Sequence, residues 1–218
     1  MDTAYGIAPN RHTRVPFLSR KALGLGLSFL ASRDPDLAGI LTKLGPPPIW
    51  ARKAGFSTLI HIILEQQVSL ASARAAFDRL VEATSPLTPE RFLELDDATL
   101  KAIGFSRQKA GYGRELARSV AEGRLNFSAL AKLDDAAVRV ELTRLKGVGD
   151  WTADIYLLMV LRRPDIWPKG DLALATAAQM VKRLDSRPTQ DELDDMSLAW
   201  RPWRAVAARL LWHYYLSQ

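Results

Sequence analysis

Leu145-Lys146-Gly147-Val148-Gly149-Asp150-Trp151-Thr152-Ala153 lies between two stretches of helical apolar periodicity, and Asp171 follows one loop later. A glycine-aliphatic-glycine turn between two helices is tight. Gly147 and Gly149 are both open to positive φ and to close approach by another backbone. A helix opening at Asp150 directs its unpaired N–H groups out of the turn, where they can cradle a phosphate. A carboxylate at a fixed distance downstream then suggests chemistry beside that backbone. Two plainer readings compete. Gly-X-Gly joins many helical hairpins, and Gly170-Asp171-Leu172 reads by itself as an N-cap opening an apolar-periodic helix.

Composition narrows the field. The chain has 218 residues, 48% hydrophobic and 25% charged, with a formal net charge of +6, which fits a globular protein with a polyanion among its expected partners. It has no cysteine, which excludes disulfides, thiolate metal sites, cysteine nucleophiles and a cysteine-ligated iron–sulfur cluster. His12, His61 and His213 show no metal-ligand spacing. No cofactor is expected. The apolar run Ile155 to Leu161 is too short to span a bilayer. Ala22 to Ala31 follows Arg20-Lys21 like a signal h-region, but it lies behind a long polar stretch and contains two glycines. The expectation is a cytoplasmic monomer without a membrane anchor.

The rest of the chain reads as helix with its punctuation visible. Asp34-Pro35, Ser69, Thr88-Pro89, Asp96, Ser106, Asn126, Asp134, Asp171 and Thr189 are candidate starts; Gly45, Gly104 and the glycine hairpin are stops. One continuous helix is expected from Asp150 to Arg162. No segment alternates as a strand would, so the fold is read as all-α. Residues 1–16 read as a flexible basic arm.

Two further blocks extend the pattern: Leu64-Glu65-Gln66-Gln67-Val68-Ser69, and Trp200-Arg201-Pro202-Trp203-Arg204 leading to Trp212. With the hairpin and Asp171, these resemble the helix-hairpin-helix (HhH-GPD) DNA glycosylase superfamily, in particular its alkylpurine, 3-methyladenine type II branch. The resemblance implies a two-lobed helical bundle with a DNA cleft between the lobes. Its expected divisions are 17–49, packing with the C-terminal lobe, a central lobe 50–133, and a hairpin and catalytic lobe 134–218. The sheet domain that precedes the first block in some relatives is expected to be shortened or missing.

The resemblance also assigns roles. Asp171 becomes the catalytic carboxylate, stabilising positive charge on the deoxyribose as the base departs. Trp151 stands where bifunctional members carry a Schiff-base lysine, so base excision without strand cleavage is expected. Trp151, Trp212 and Tyr156 are candidates for the flipped-base pocket, and Gln67 with Gln66 for the wedge that fills the gap. Lys146, Gly147, Val148, Gly149 and Thr152 are candidate phosphate contacts, Lys109 a second one. The carbonyls of Thr143, Leu145 and Val148 match positions that hold a monovalent ion in relatives. Trp203-Arg204 is expected to brace the last helix against the loop before Asp171. The implied partner is double-stranded DNA containing damaged bases. Excision of another damaged or deaminated base, and a non-catalytic lesion-sensing module, stay open as alternatives.

Overall fold

The computed structural model describes residues 17–218, and every regular element among them is helical. The arm read from residues 1–16 lies outside the described residues. Helices α1 (Arg20–Ala31) and α2 (Pro35–Leu44) are followed by α3 (Phe56–Glu65), α4 (Leu70–Thr84), α5 (Pro89–Leu93), α6 (Asp97–Ile103) and α7 (Arg107–Ala121). Then come α8 (Phe127–Leu130), α9 (Asp135–Thr143), α10 (Asp150–Ile155), α11 (Leu172–Lys182), α12 (Gln190–Leu198) and α13 (Arg204–Tyr215). No described helix is long and apolar enough to cross a membrane. The Ala22–Ala31 stretch is instead most of α1, which turns Leu23, Leu27 and Leu30 into the core.

Capping explains why the elements begin where they do. Ser19, Asp34, Ser69, Thr88, Asp96, Ser106, Asn126, Asp134, Asp171 and Thr189 each accept a first-turn backbone N–H with a side-chain oxygen, satisfying donors that a helix cannot satisfy itself. Packing gathers the helices into two groups. Helices α3 to α7 pack on one another, while α1, α2, α11 and α13 form the other set, with α12 against α11; α10 touches both α9 and α3.

The helix after the hairpin departs from expectation. Beyond Ile155 it widens into a π-helical segment over Tyr156–Val160, and Arg162 ends it at φ +52°. Such a segment changes the phase of the side chains beyond it. The fully buried Arg209 of α13 meets this stretch, donating to the carbonyls of Leu158, Ile49 and Ala205 at 2.8–2.9 Å. Burial and the nearby Arg162 charge pull its guanidinium down to about 9.

A second polar clip joins α2 to the far end of the chain. Lys182 donates to both oxygens of Asp34 at 2.7 and 2.8 Å, and Trp200 Nε1 adds a third bond at 2.9 Å. Burial alone would raise the Asp34 carboxyl, but the hydrogen bonds from Lys182, Trp200 and the Leu37 amide bring it below the usual aspartate value. Because the folded state holds this group more acidic than the unfolded chain does, its stabilisation is present above the ordinary aspartate range and is lost as pH falls through the folded value. Asp34→Ala is therefore expected to cost about 3 kcal/mol at neutral pH. Urea titrations at pH 7 and pH 3 check this, since the gap from wild type should shrink in acid.

Candidate nucleic-acid interface and catalytic centre

The hairpin forms between α9 and α10, but its two glycines act differently. Gly147 takes φ +90°, and a methyl group there would stand 2.1 Å from the Tyr112 ring. Gly149 adopts φ −94° and ψ −175°, ordinary extended backbone, with nothing within 4 Å of a would-be Cβ. The expectation of two positive-φ glycines is corrected to one. Gly147 is required by the turn and by Tyr112, whereas Gly149 faces open space. Gly149 also gives α10 no side-chain cap, unlike most helices of this chain, so the first-turn amides of α10 are left for an external partner.

Two predicted phosphate contacts are withdrawn on geometry. The Val148 N–H already donates to the Leu145 carbonyl at 3.0 Å, and the Val148 side chain is buried. Thr152 is 2% exposed, and its hydroxyl accepts from Gln66 Nε2 at 2.9 Å. Lys146 is exposed on the turn. The carbonyls of Thr143, Leu145 and Val148 lie in the same turn; that of Leu145 keeps one lone pair beyond the bond from Val148. No cluster of three or more His, Asp or Glu side chains suited to a metal occurs among the described residues.

Opposite the hairpin, α3 ends in the wedge block, and a cavity of about 540 Å³ lies between this turn, the hairpin and the start of α7. Gln67 is exposed and takes φ +55°, unusual for a residue with a side chain. Gln66 does not point outward with it. Its Nε2 donates to the Gly147 carbonyl and to Thr152 Oγ1, both at 2.9 Å. Of the two wedge candidates only Gln67 is exposed, and Gln66 ties the end of α3 to the hairpin and α10. Lys109 is also redirected. Its Nζ donates to the carbonyls of Leu64 and Gln66, each at 2.7 Å, so it caps the end of α3 where a phosphate contact was expected. Burial lowers its ammonium below the usual lysine range.

Asp171 sits at the N-cap of α11 with 8% exposure. Its Oδ1 accepts from the Leu174 amide at 2.9 Å and from Trp212 Nε1 at 3.3 Å; its Oδ2 accepts from Trp151 Nε1 at 2.9 Å. The cap and the two indoles thus meet on one carboxylate. Each indole is oriented by a bond from its ring N–H, which leaves its faces for packing. Trp151 is half-buried and Trp212 more so. Tyr156 does not join them. It is wholly buried, packs beside Phe127, and its hydroxyl has no partner; desolvation pushes that hydroxyl well above the usual tyrosine range. Buried in this way, it cannot form a wall open to a ligand.

The loop before Asp171 is held from two sides. Arg204 pairs with Asp165 at 2.9 and 3.0 Å, the expected brace. Trp203 is elsewhere, over Gly26 of α1, where an added methyl would meet its ring at 2.9 Å. Gly170, at φ +75°, donates its N–H to Gln190 Oε1. Gln190 was not singled out from sequence because a glutamine just inside a helix start carries no signal of the loop it will hold. Beneath the hairpin, the buried Asp154 accepts from Arg139 at 2.7 Å and joins α10 to α9. Burial raises the Asp154 carboxyl, with Arg139 opposing that shift.

An uncapped helix start at a glycine hairpin, beside a buried carboxylate set between two indoles, defines a helix-hairpin-helix protein. Residues 60–204 match the HhH-GPD superfamily of base excision DNA repair proteins, and the chain belongs to that family. Its fold is that of the helix-hairpin-helix DNA glycosylases. It is similar to the 3-methyladenine DNA glycosylase Mag1 of Schizosaccharomyces pombe, solved in complex with abasic DNA, at a TM-score of 0.80 and 26% identity over 86% of this chain and 95% of that one. It is 29% identical over 185 residues to the putative DNA-3-methyladenine glycosylase YfjP of Bacillus subtilis, covering 81% of this chain. With a second B. subtilis protein, a DNA-3-methyladenine glycosylase, it shares 28% identity over 169 residues, 72% of this chain. The chain spans 64% and 56% of the lengths of those two B. subtilis relatives.

Proposed function

We propose that this protein is a monofunctional DNA glycosylase that hydrolyses the N-glycosidic bond of alkylated purines, 3-methyladenine or 7-methylguanine in type, in duplex DNA during base excision repair. The observation that carries the proposal is the Asp171 carboxylate held between the Trp151 and Trp212 ring N–H groups beside the hairpin.

In this reading the hairpin amides and Lys146 hold the backbone next to the lesion, and Gln67 enters the stack as the damaged nucleotide rotates out. The base stacks against indole; an alkylated purine carries positive charge and is well matched to an electron-rich ring. Its charge also makes it a good leaving group. As the glycosidic bond breaks, its electron pair goes to the base and positive charge grows on the deoxyribose. Asp171, fixed by three N–H donors, stabilises that charge without reorganising. Water adds to the sugar carbon and loses a proton, leaving an abasic site. Trp151 offers no amine at the hairpin for a Schiff base.

Duplex DNA treated with a methylating agent provides the test. The wild-type protein is expected to release free 3-methyladenine or 7-methylguanine, resolved by chromatography. The product DNA should stay unbroken until alkali is added, and borohydride should trap no protein–DNA adduct. Binding without release would sink the assignment; a trapped adduct would sink its monofunctional part. The protein is expected to act as a cytoplasmic monomer.

A further inference from the structure

The turn that presents Gln67 is clamped more firmly than its exposure suggests. Gln67 stands at φ +55° with Val68 46% exposed and Leu70 57% exposed beside it. A non-glycine residue in that region is strained and persists only when its surroundings fix it. Here the surroundings are explicit. Lys109 Nζ draws in the carbonyls of Leu64 and Gln66 at 2.7 Å each, one three residues before the strained residue and one immediately before it. These are among the carbonyls that the end of α3 leaves unsatisfied, and a cation there also complements the helix dipole. One turn further along α7, the Tyr112 ring covers Gly147. Gln66 closes the triangle by donating to the Gly147 carbonyl and to Thr152.

We propose that Lys109 is a positioning residue that locks the Gln67 turn to α7, so that the hairpin's grip on the backbone and the entry of Gln67 into the base stack occur as one rigid-body event. The inference rests on the glycosylase reading above. It gives this lysine a role other than neutralising a phosphate, because two of its three donors are spent on carbonyls. Its neighbour Gln66 carries the same constraint to the hairpin.

The test uses Lys109→Met, which keeps length and apolar packing but removes the donors, with Gln66→Met as the second variant. Each is mixed with two duplexes bearing a single 7-methylguanine, one fully paired and one with the lesion opposite an abasic site. A 2-aminopurine beside the lesion reports unstacking independently of base release. On the paired duplex, both variants are expected to lose about tenfold in unstacking and in single-turnover release, equivalent to about 1.4 kcal/mol. Opposite the abasic site the loss should shrink to about twofold, because an unpaired base costs less to extrude. The slope of log affinity against log salt should match wild type.

A slope shallower by about 0.9 in Lys109→Met would show a phosphate contact and overturn the proposal. An equal deficit on both duplexes would also overturn it, as would no deficit at all. Wild type that unstacks the reporter yet releases no base would remove the glycosylase reading alone, and the unstacking arm would still decide the role of Lys109.

Discussion

Asp171→Asn is expected to lower base release by about 10²–10³-fold or more while DNA affinity stays within about twofold. The substitution preserves shape and keeps an oxygen to cap α11, so the Leu174 amide retains its acceptor. What changes is charge. The neutral amide cannot stabilise a sugar cation, and its NH₂ group must face an indole N–H, because the carboxylate now accepts from Trp212 on one oxygen and Trp151 on the other. That donor–donor clash turns the rings as well. Single-turnover release assays with parallel affinity measurements provide the check. A mutant that still released base at the wild-type rate would move the chemistry to another group.

The hairpin glycines yield the second large effect, and it is asymmetric. Gly147→Ala places a methyl group 2.1 Å from the Tyr112 ring at φ +90°. Backbone strain of about 1–3 kcal/mol adds to overpacking of about 1–3 kcal/mol, so the melting temperature should fall by about 5–15 °C. The Gln66 bond to the Gly147 carbonyl would be disturbed in the same event, with loss of DNA binding. Gly149→Ala meets no protein atom within 4 Å and needs no unusual φ. Its stability should stay within about 0.5 kcal/mol of wild type, yet DNA affinity should fall about tenfold if the hairpin holds a phosphate as proposed, because the added methyl would stand in its way. Thermal melts and binding titrations on the pair separate a glycine needed by the protein from one needed by its ligand. Equal melting temperatures for the two variants would refute this division.

Much of the fold was legible because helix boundaries are written locally. Asp34 before Pro35, Ser106 before α7 and Thr189 three residues before Glu192 satisfy first-turn amides from within a few positions, and such signals need no tertiary knowledge. Asp171 is legible as a cap for the same reason, from Gly170-Asp171-Leu172, whereas the two indoles that also donate to it come from 20 and 41 residues away. The misses are long-range or conformational. Gln66 meets Gly147 across 81 residues, and nothing in its local pattern distinguishes that bond from an exposed amide. Lys109 reads as a phosphate contact until α3 places the Leu64 and Gln66 carbonyls beside it. Tyr156 is a pocket candidate through the resemblance, and nothing in its local pattern shows that it packs beside Phe127 inside the core. Gly149 looks like Gly147 in the sequence, yet it is extended backbone facing open space.

The two indole bonds to Asp171 also bear on how the molecule comes into being. They bridge 20 and 41 residues of chain, from α10 and from α13. A ribosome makes the hairpin well before it makes α13, so in a nascent chain the Asp171 carboxylate lacks its Trp212 partner until α13 has been made. Contacts that close over long stretches of sequence also form late in folding. The three-donor setting of Asp171 is therefore among the last features of the site to be completed, since it waits for α13.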